Sequence, residues 1–479
     1  MTVSFNYPMT QHLLFAVSQL AFGPSKYADA AVNLIYWLIL FASVYGGAIK
    51  IGVGRFAAFF AIVFIAVCPL VVVLSRQPLL DFGNLALLSA AFYCMMGTTR
   101  HSTWREIVLL ALILAIAGTA KQTSFLWLAG FFVWRLIALV FRKQFDANNF
   151  GKLFIMGLPL AGALLLWLLP NSDSLISWKN YYYPQAAKGN TFIITLAEHL
   201  WSYATSWPAI ISPLLLLLVV AGFGYLVWAA RQRLKPLYEL AFASAFGLVT
   251  LSALSVNRPE PRYEIPIVYL LALVVAMSYQ AAVDKDDRLG KAFIAIAKLV
   301  TCLAIVQYFV FSFVPYPIPG SPAIAKFIEA VIGRGEAERL DPAGYPTRGN
   351  DAWGVDWLMT SIKNADLPLN RLNVMSSTKE VSVHGLEVAA LRRKLTLEVS
   401  TFRRFTLHGD VFEYNADQVP YYNWYLLKTG EQGNALADKV SADAYQRLEN
   451  IIRTGGQYKL SGSRALPDGS RYDLFVTAK

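Results

Sequence analysis

Cysteine is scarce in this chain of 479 residues: there are three, Cys68, Cys94 and Cys302, each inside an apolar block. No disulfide framework can be built from them, and the C-terminal third has none. Charge is sparse as well, at 15% of residues against 56% hydrophobic. A wholly water-soluble protein of this size separates its apolar segments with more charged surface, so that class is excluded. Residues 1–22 lack a basic start followed by an apolar core and do not read as a signal peptide. Residues 315–479 contain no phosphate-binding glycine loop, metal-ligand spacing or nucleophile motif. The formal charge of +11 sits largely in short loops between apolar blocks, so it gives no footprint for nucleic acid.

What the chain has is apolar length. A helix crosses a bilayer in about 20 residues, and ten stretches read as spans: 25–48, 55–74, 82–98, 106–122, 124–142, 152–170, 208–230, 237–256, 263–283 and 291–314. The fold class expected is a polytopic α-helical membrane protein, residues 1–314, followed by a C-terminal soluble α/β domain, residues 315–479. Basic residues crowd alternate loops: Lys50 and Arg55, Arg100 and Arg105, Arg142 to Lys152, Arg231 to Lys235, and Lys285 to Lys291. The bias is roughly two to one and puts these loops in the cytoplasm. The N-terminus and the C-terminal domain are then extracytoplasmic, on a plasma (inner) membrane. Met9–Phe22 is too short to span and reads as a helix lying at the interface. An exported N-terminus without a signal leads us to expect a further span upstream of this sequence.

Residues 171–207 read as a long outer loop rich in Trp and Tyr, including Trp178, Tyr181, Tyr203 and Trp207. Two readings stay open there, an aromatic interface belt and a stacking platform for a sugar or lipid. Past Pro315, Pro317 and Pro319 the pattern becomes globular. It predicts a helix at 353–364, strands at 371–377 and 395–401, and a hairpin over 458–477 around Pro467-Asp468-Gly469.

Ionisable residues near hydrocarbon are functional candidates because placing them there is costly. In this chain they gather at outer helix ends. Pro78 breaks the chain between two spans, leaving Arg76 at one helix end and Asp81 in the first turn of the next. Asp81 either pairs with Arg76 to close that turn or works with it on a ligand, since a held Arg offers a rigid fork to phosphate. Lys121 occupies a short outer turn, where it either snorkels or meets an anion. Arg258 and Arg262, in Asn257-Arg258-Pro259-Glu260-Pro261-Arg262-Tyr263, enter another. Together Arg76, Lys121, Arg258 and Arg262 would form a phosphate receptor. His12 and His199 are the outer histidines before the C-terminal domain, read as surface or core residues ahead of metal ligands.

At these residues the chain resembles the GT-C superfamily, in particular the bacterial aminoarabinose transferase of lipid A and the protein O-mannosyltransferases. Phe5-Asn6-Tyr7-Pro8 and the helix to Phe22-Gly23 are similar to that family's first outer loop. Arg76 to Leu80-Asp81 resembles its basic-then-Leu-Asp motif, Thr119-Ala120-Lys121 its Thr-Lys turn, and Arg262-Tyr263 with Pro266 its Arg-Tyr turn. Asn6 stands where the aminoarabinose transferase has a second acid, and an arginine common near the start of the next span is replaced around Ala30. The resemblance places the usual catalytic acid upstream of Asn6, before this sequence starts.

The resemblance implies an inverting transfer in which an acceptor hydroxyl attacks a sugar carried on polyprenyl phosphate. The partners implied are that donor and membrane lipids, with Asn6, Tyr7 and Tyr263 in the substrate loops. Within the chain, Asp81 and Glu260 are the candidate bases. A divalent metal assists some relatives, although no metal ligands are identified here. The alternatives are a lipid or polysaccharide transporter, which needs mid-membrane charges or repeats, and a non-catalytic GT-C-like membrane protein.

Overall fold

Backbone polar groups in hydrocarbon must bond to one another, so long apolar segments have little choice but helix. The computed structural model bears this out. It describes residues 9–23, 26–76, 80–97, 102–141, 146–186, 192–254, 261–313, 353–365, 367, 370–376, 383–401, 416–430, 439–466 and 469–478. The chain divides into two compact units, Met1–Ala21 with Tyr27–Gly344, and Phe22–Lys26 with Tyr345–Lys479.

The larger unit is helical. Its first seven helices are α1 (Met9–Phe22), α2 (Lys26–Lys50), α3 (Arg55–Ala66), α4 (Pro69–Ser75), α5 (Leu80–Gly97), α6 (Trp104–Gly118) and α7 (Ser124–Phe141). Then follow α8 (Ala147–Ala186), α9 (Phe192–Ile211), α10 (Pro213–Ala229), α11 (Tyr238–Leu254), α12 (Ile267–Lys285) and α13 (Arg288–Phe313).

Helix stands at each of the ten expected spans, but fewer have spanning length. Among the described residues six helices are long and apolar enough alone, and up to eight spans result if the bent pairs α3–α4 and α9–α10 each count as one. Short α4 and α6 have physical causes. Pro69 starts α4 at a 66° bend from α3, where proline suits a first turn but not a helix interior. The 15 residues of α6, at about 1.5 Å each, fall short of a hydrocarbon core of about 30 Å. The chain is a multi-pass membrane protein.

The supposed outer loop 171–207 is a further correction. It is mostly helix, with α8 running on to Ala186 and α9 starting at Phe192. Tyr203 is buried and Trp201 is exposed, so these two rings do not share one surface.

Helix α12 lies at the centre, with apolar residues buried on every side from Ile267 to Ala282, packed against α3, α10 and α13. Its Tyr269 donates to Ser43 O at 3.2 Å, across from Gly47. A β-carbon at Gly47 would sit 2.2 Å from that hydroxyl, so glycine is what lets α2 and α12 approach.

Among its described residues the smaller unit has five strands: β1 (Asn370–Val374), β2 (Leu397–Thr401), β3 (Trp424–Lys428), β4 (Tyr458–Ala465) and β5 (Arg471–Thr477). Their order is β2-β1-β3-β5-β4. β1 runs parallel to β2 and β3, while β5 is antiparallel to β3 and β4. Alternation sends Leu372, Val374, Trp424 and Leu426 into one core with α14 (Val355–Asn364) and α15 (Val383–Arg392). Tyr425, Leu427 and Phe475 enter the other with α16 (Lys439–Thr454). The predicted helix, strands and hairpin fall on α14, β1, β2 and β4–β5.

Candidate functional site

Three turns and α1 build one polar cluster in the membrane unit. Asp81 lies in the first turn of α5, where the helix dipole favours a carboxylate. Thr119, Ala120 and Lys121 turn the chain between α6 and α7. A 3-10 turn, Pro261–Glu264, precedes α12.

Asp81 and Lys121 form a buried ion pair, with side-chain exposures of 4% and 6%. Arg262 Nη1 approaches the other carboxylate oxygen at 4.0 Å and keeps 35% of its side chain exposed. The Tyr263 ring lies 4.3 Å from Lys121 Nζ and 5.4 Å from the Arg262 guanidinium, so one aromatic face attracts both cations. Two cations thus share one carboxylate among the described residues.

Neutral groups hold the two turns in register. Ser124 Oγ donates to Asn84 Oδ1 at 2.6 Å and accepts from the Lys121 backbone N–H at 3.1 Å. Gln11 Nε2 donates to Leu80 O at 2.6 Å and Ala120 O at 3.1 Å, and Thr10 and Thr119 share a 2.6 Å hydroxyl bond.

Glu264 closes the third turn. Ser206 Oγ donates to its Oε1 at 2.5 Å and Trp207 Nε1 to its Oε2 at 2.9 Å, pinning the turn to α9. Burial pushes this carboxyl up to about 8, against the two hydrogen bonds, which pull it down.

The expected residues divide as follows. Asp81, Lys121, Arg262 and Tyr263 come together. Arg76 caps α4 and is exposed. Among the described residues the ion pairs of Asp81 are with Lys121 and Arg262. The α6–α7 turn brings Lys121 against the first turn of α5, so Lys121 is buried rather than snorkelling. Asn6, Tyr7, Arg258 and Glu260 lie outside the described residues. His199 is half-buried, its Nδ1 2.9 Å from Ser252 O, as a packed histidine would be.

Sequence reasoning missed Gln11, Asn84, Ser124, Ser206 and Glu264. Glu264 carried a usable signal, an acid directly after Arg262-Tyr263 and before an apolar span. Among the described residues no group of three or more His, Cys, Asp or Glu is arranged to hold a metal ion. The cluster itself does not fit one, because Asp81 already serves two cations that would repel a divalent ion.

No family model matches the chain, and no curated protein does either. Solved structures do match. ArnT from Cupriavidus metallidurans bound to undecaprenyl phosphate has a TM-score of 0.54 at 13% identity, covering 99% of this chain and 88% of that one. The apo state of the same protein gives 0.55 at 14%, with the same coverage. The chain shares the fold of these ArnT structures. At this identity the likeness shows fold alone.

Proposed function

We propose that this chain is a membrane glycosyltransferase that takes a sugar from a polyprenyl-phosphate donor to an envelope acceptor on the outer face. The observation that carries the reading is the buried cluster in which Lys121 and Arg262 share Asp81, within a fold like that of ArnT. Two cations brought to one place suit a lipid phosphate, and a low-dielectric wall strengthens that attraction. Arg262, partly exposed, would meet the phosphate first, while Lys121 fixes the position of Asp81. Arg76 and Arg258 would extend the receptor, with Asn6, Tyr7 and Tyr263 lining the approach.

In the transfer, the acceptor oxygen forms a bond to the anomeric carbon. The bond from that carbon to the phosphate oxygen breaks, and its electron pair leaves with the lipid phosphate. Lys121 and Arg262 would stabilise the charge gathering there. The hydroxyl proton must pass to a base. Asp81 and Glu260 are the candidates for it from our sequence reading. The loop-charge bias supports a plasma (inner) membrane location with residues 315–479 extracytoplasmic.

The test is transfer from polyprenyl-phosphate sugar in membranes containing Lys121→Met or Arg262→Ala. Each is expected to lower the rate about 10²–10³-fold, as loss of one stabilising group does. Wild-type rates from both variants would remove the phosphate-site reading.

A further inference from the structure

The amide of Gln11 uses its two hydrogens on two particular carbonyls, those of Leu80 and Ala120. Leu80 directly precedes Asp81, and Ala120 directly precedes Lys121. One side chain therefore spans the two turns that supply the central ion pair. Gln11 is fully buried, and its Oε1 has no hydrogen-bond partner among the described residues. Leaving an acceptor unpaired is unfavourable, so optimal packing does not account for an amide here. Gly83 makes room for it. A β-carbon on Gly83 would lie 2.4 Å from Gln11 Oε1 and 2.7 Å from the Tyr36 ring, so α5 lacks a side chain where the amide enters. The hydroxyl pair Thr10–Thr119 adds a second tie from α1 to the Lys121 turn.

We propose that Gln11 is a positioning residue: by bridging Leu80 and Ala120 it sets the spacing of Asp81 and Lys121, and so the selectivity of the cluster for a phosphate-bearing lipid. The inference rests on the phosphate-site reading above. Gln11 acts through Lys121 and touches no reacting atom. An apolar side chain of similar size removes both donors and lets the turns separate, which weakens the hold on Lys121 without changing any charge. Glutamate at this position, when ionised, donates nothing and sets a negative charge against two carbonyls and Asp81.

The experiment uses the full chain in lipid nanodiscs, with undecaprenyl phosphate and undecaprenol, the same lipid without phosphate, as probes. Binding of both is measured for wild type, Gln11→Leu, Gln11→Glu, Lys121→Met and Arg262→Ala, alongside thermal unfolding without ligand. Gln11→Leu is expected to weaken undecaprenyl phosphate about tenfold while leaving undecaprenol unchanged, and Gln11→Glu to do at least as much. A purely structural role would weaken both lipids alike and lower the unfolding temperature in parallel, which overturns the proposal. So does unchanged phosphate selectivity in both Gln11 variants while Lys121→Met and Arg262→Ala lose it, and the phosphate-site reading then survives alone. Unchanged selectivity in Lys121→Met and Arg262→Ala removes that reading, and the role of Gln11 with it.

Discussion

Two carboxylates in this protein each hold two cations, and they do so in opposite surroundings. In the membrane unit Asp81 faces Lys121 and Arg262, and only Arg262 retains much exposure. In the C-terminal sheet Asp473 on β5 takes Arg453 at 3.0 Å and Arg471 at 2.8 Å, with Ser463 Oγ donating at 2.6 Å. There a second acid, Glu449, bonds Arg453 at 2.8 Å, so charges balance and both arginines reach solvent. In the sheet cluster the carboxylate is buried, at 1% exposure, but its charges balance and its arginines reach solvent. In the membrane cluster a cation is buried along with the carboxylate, Lys121 being 6% exposed. Burying both partners makes such a pair costly to break from either side.

The largest effect that would sharpen this contrast is Asp81→Asn. It leaves Lys121 and Arg262 without their carboxylate, and breaking a buried pair from one side costs about 3–5 kcal/mol. Thermal unfolding in detergent and the yield of monodisperse protein measure it. A loss no greater than that of Asp473→Asn would break the contrast.

Glu264 sharpens it from another side, because its described hydrogen-bond donors, Ser206 and Trp207, are neutral. Its folded pKa, about 8, lies above the ordinary 4.5. The folded state therefore keeps a proton that the unfolded chain has released. Stability is full below the ordinary value, falls as pH rises between the two, and levels off above about 8. The drop amounts to a few kcal/mol. Glu264→Gln, an isostere of the neutral acid, is expected to flatten that part of the stability curve. An identical slope in the variant would mean that Glu264 is ionised and has a cation partner.

Asp473→Asn follows, at about 1–3 kcal/mol, the range for hydrogen bonds to a charged group. Burial alone would raise the Asp473 carboxyl, but bonds from Ser463, Arg471 and Arg453 outweigh it and hold the pKa below the usual range. Its contribution is present above the ordinary aspartate value and is lost as pH falls through the lowered one. Acid unfolding of the full chain should start at higher pH in the variant, and an unchanged midpoint would count against the network.

Much of this was legible before any coordinates. Long apolar runs dictate helix whatever their partners, so the span positions were readable, and Pro467-Asp468-Gly469 marked its hairpin through local turn chemistry. Residues 171–207 were misread because aromatic and polar residues carry no periodic apolar face, and α8 and α9 extend past their apolar parts. The cluster was half legible. Charge near hydrocarbon flagged Asp81, Lys121 and Arg262, but their pairing depends on how two turns about 40 residues apart come side by side. That register is a tertiary fact, which is why the sequence pointed to Arg76, the near neighbour, and not to Lys121 as a partner of Asp81. Gln11 went unseen because a neutral amide raises no alarm in composition or charge.

The smallest expected effect concerns Arg76, and it isolates burial from charge. Arg76 caps α4 and is exposed, and the carbonyl before it, Ser75 O, accepts a 2.8 Å bond from Asn33 Nδ2. A cation at a helix C-terminus gains a little from the dipole. Arg76→Ala should therefore change unfolding stability by no more than about 0.5 kcal/mol. If Arg76 helps to attract the lipid phosphate, it does so through water, where an exposed ion pair contributes about 1 kcal/mol at most. Undecaprenyl phosphate binding should weaken by less than about fivefold. The deficit should shrink as salt rises, because the Debye length contracts to about 3 Å at 1 M. Lys121→Met has no such escape, since the ion pair it destroys is shielded from solvent ions and its deficit should persist at high salt. Measuring both variants at low and high salt separates the two cases. Equal losses with equal salt dependence would mean that the cluster is open to water, and burial of Lys121 would then no longer set the membrane pair apart from the sheet, where the arginines reach solvent.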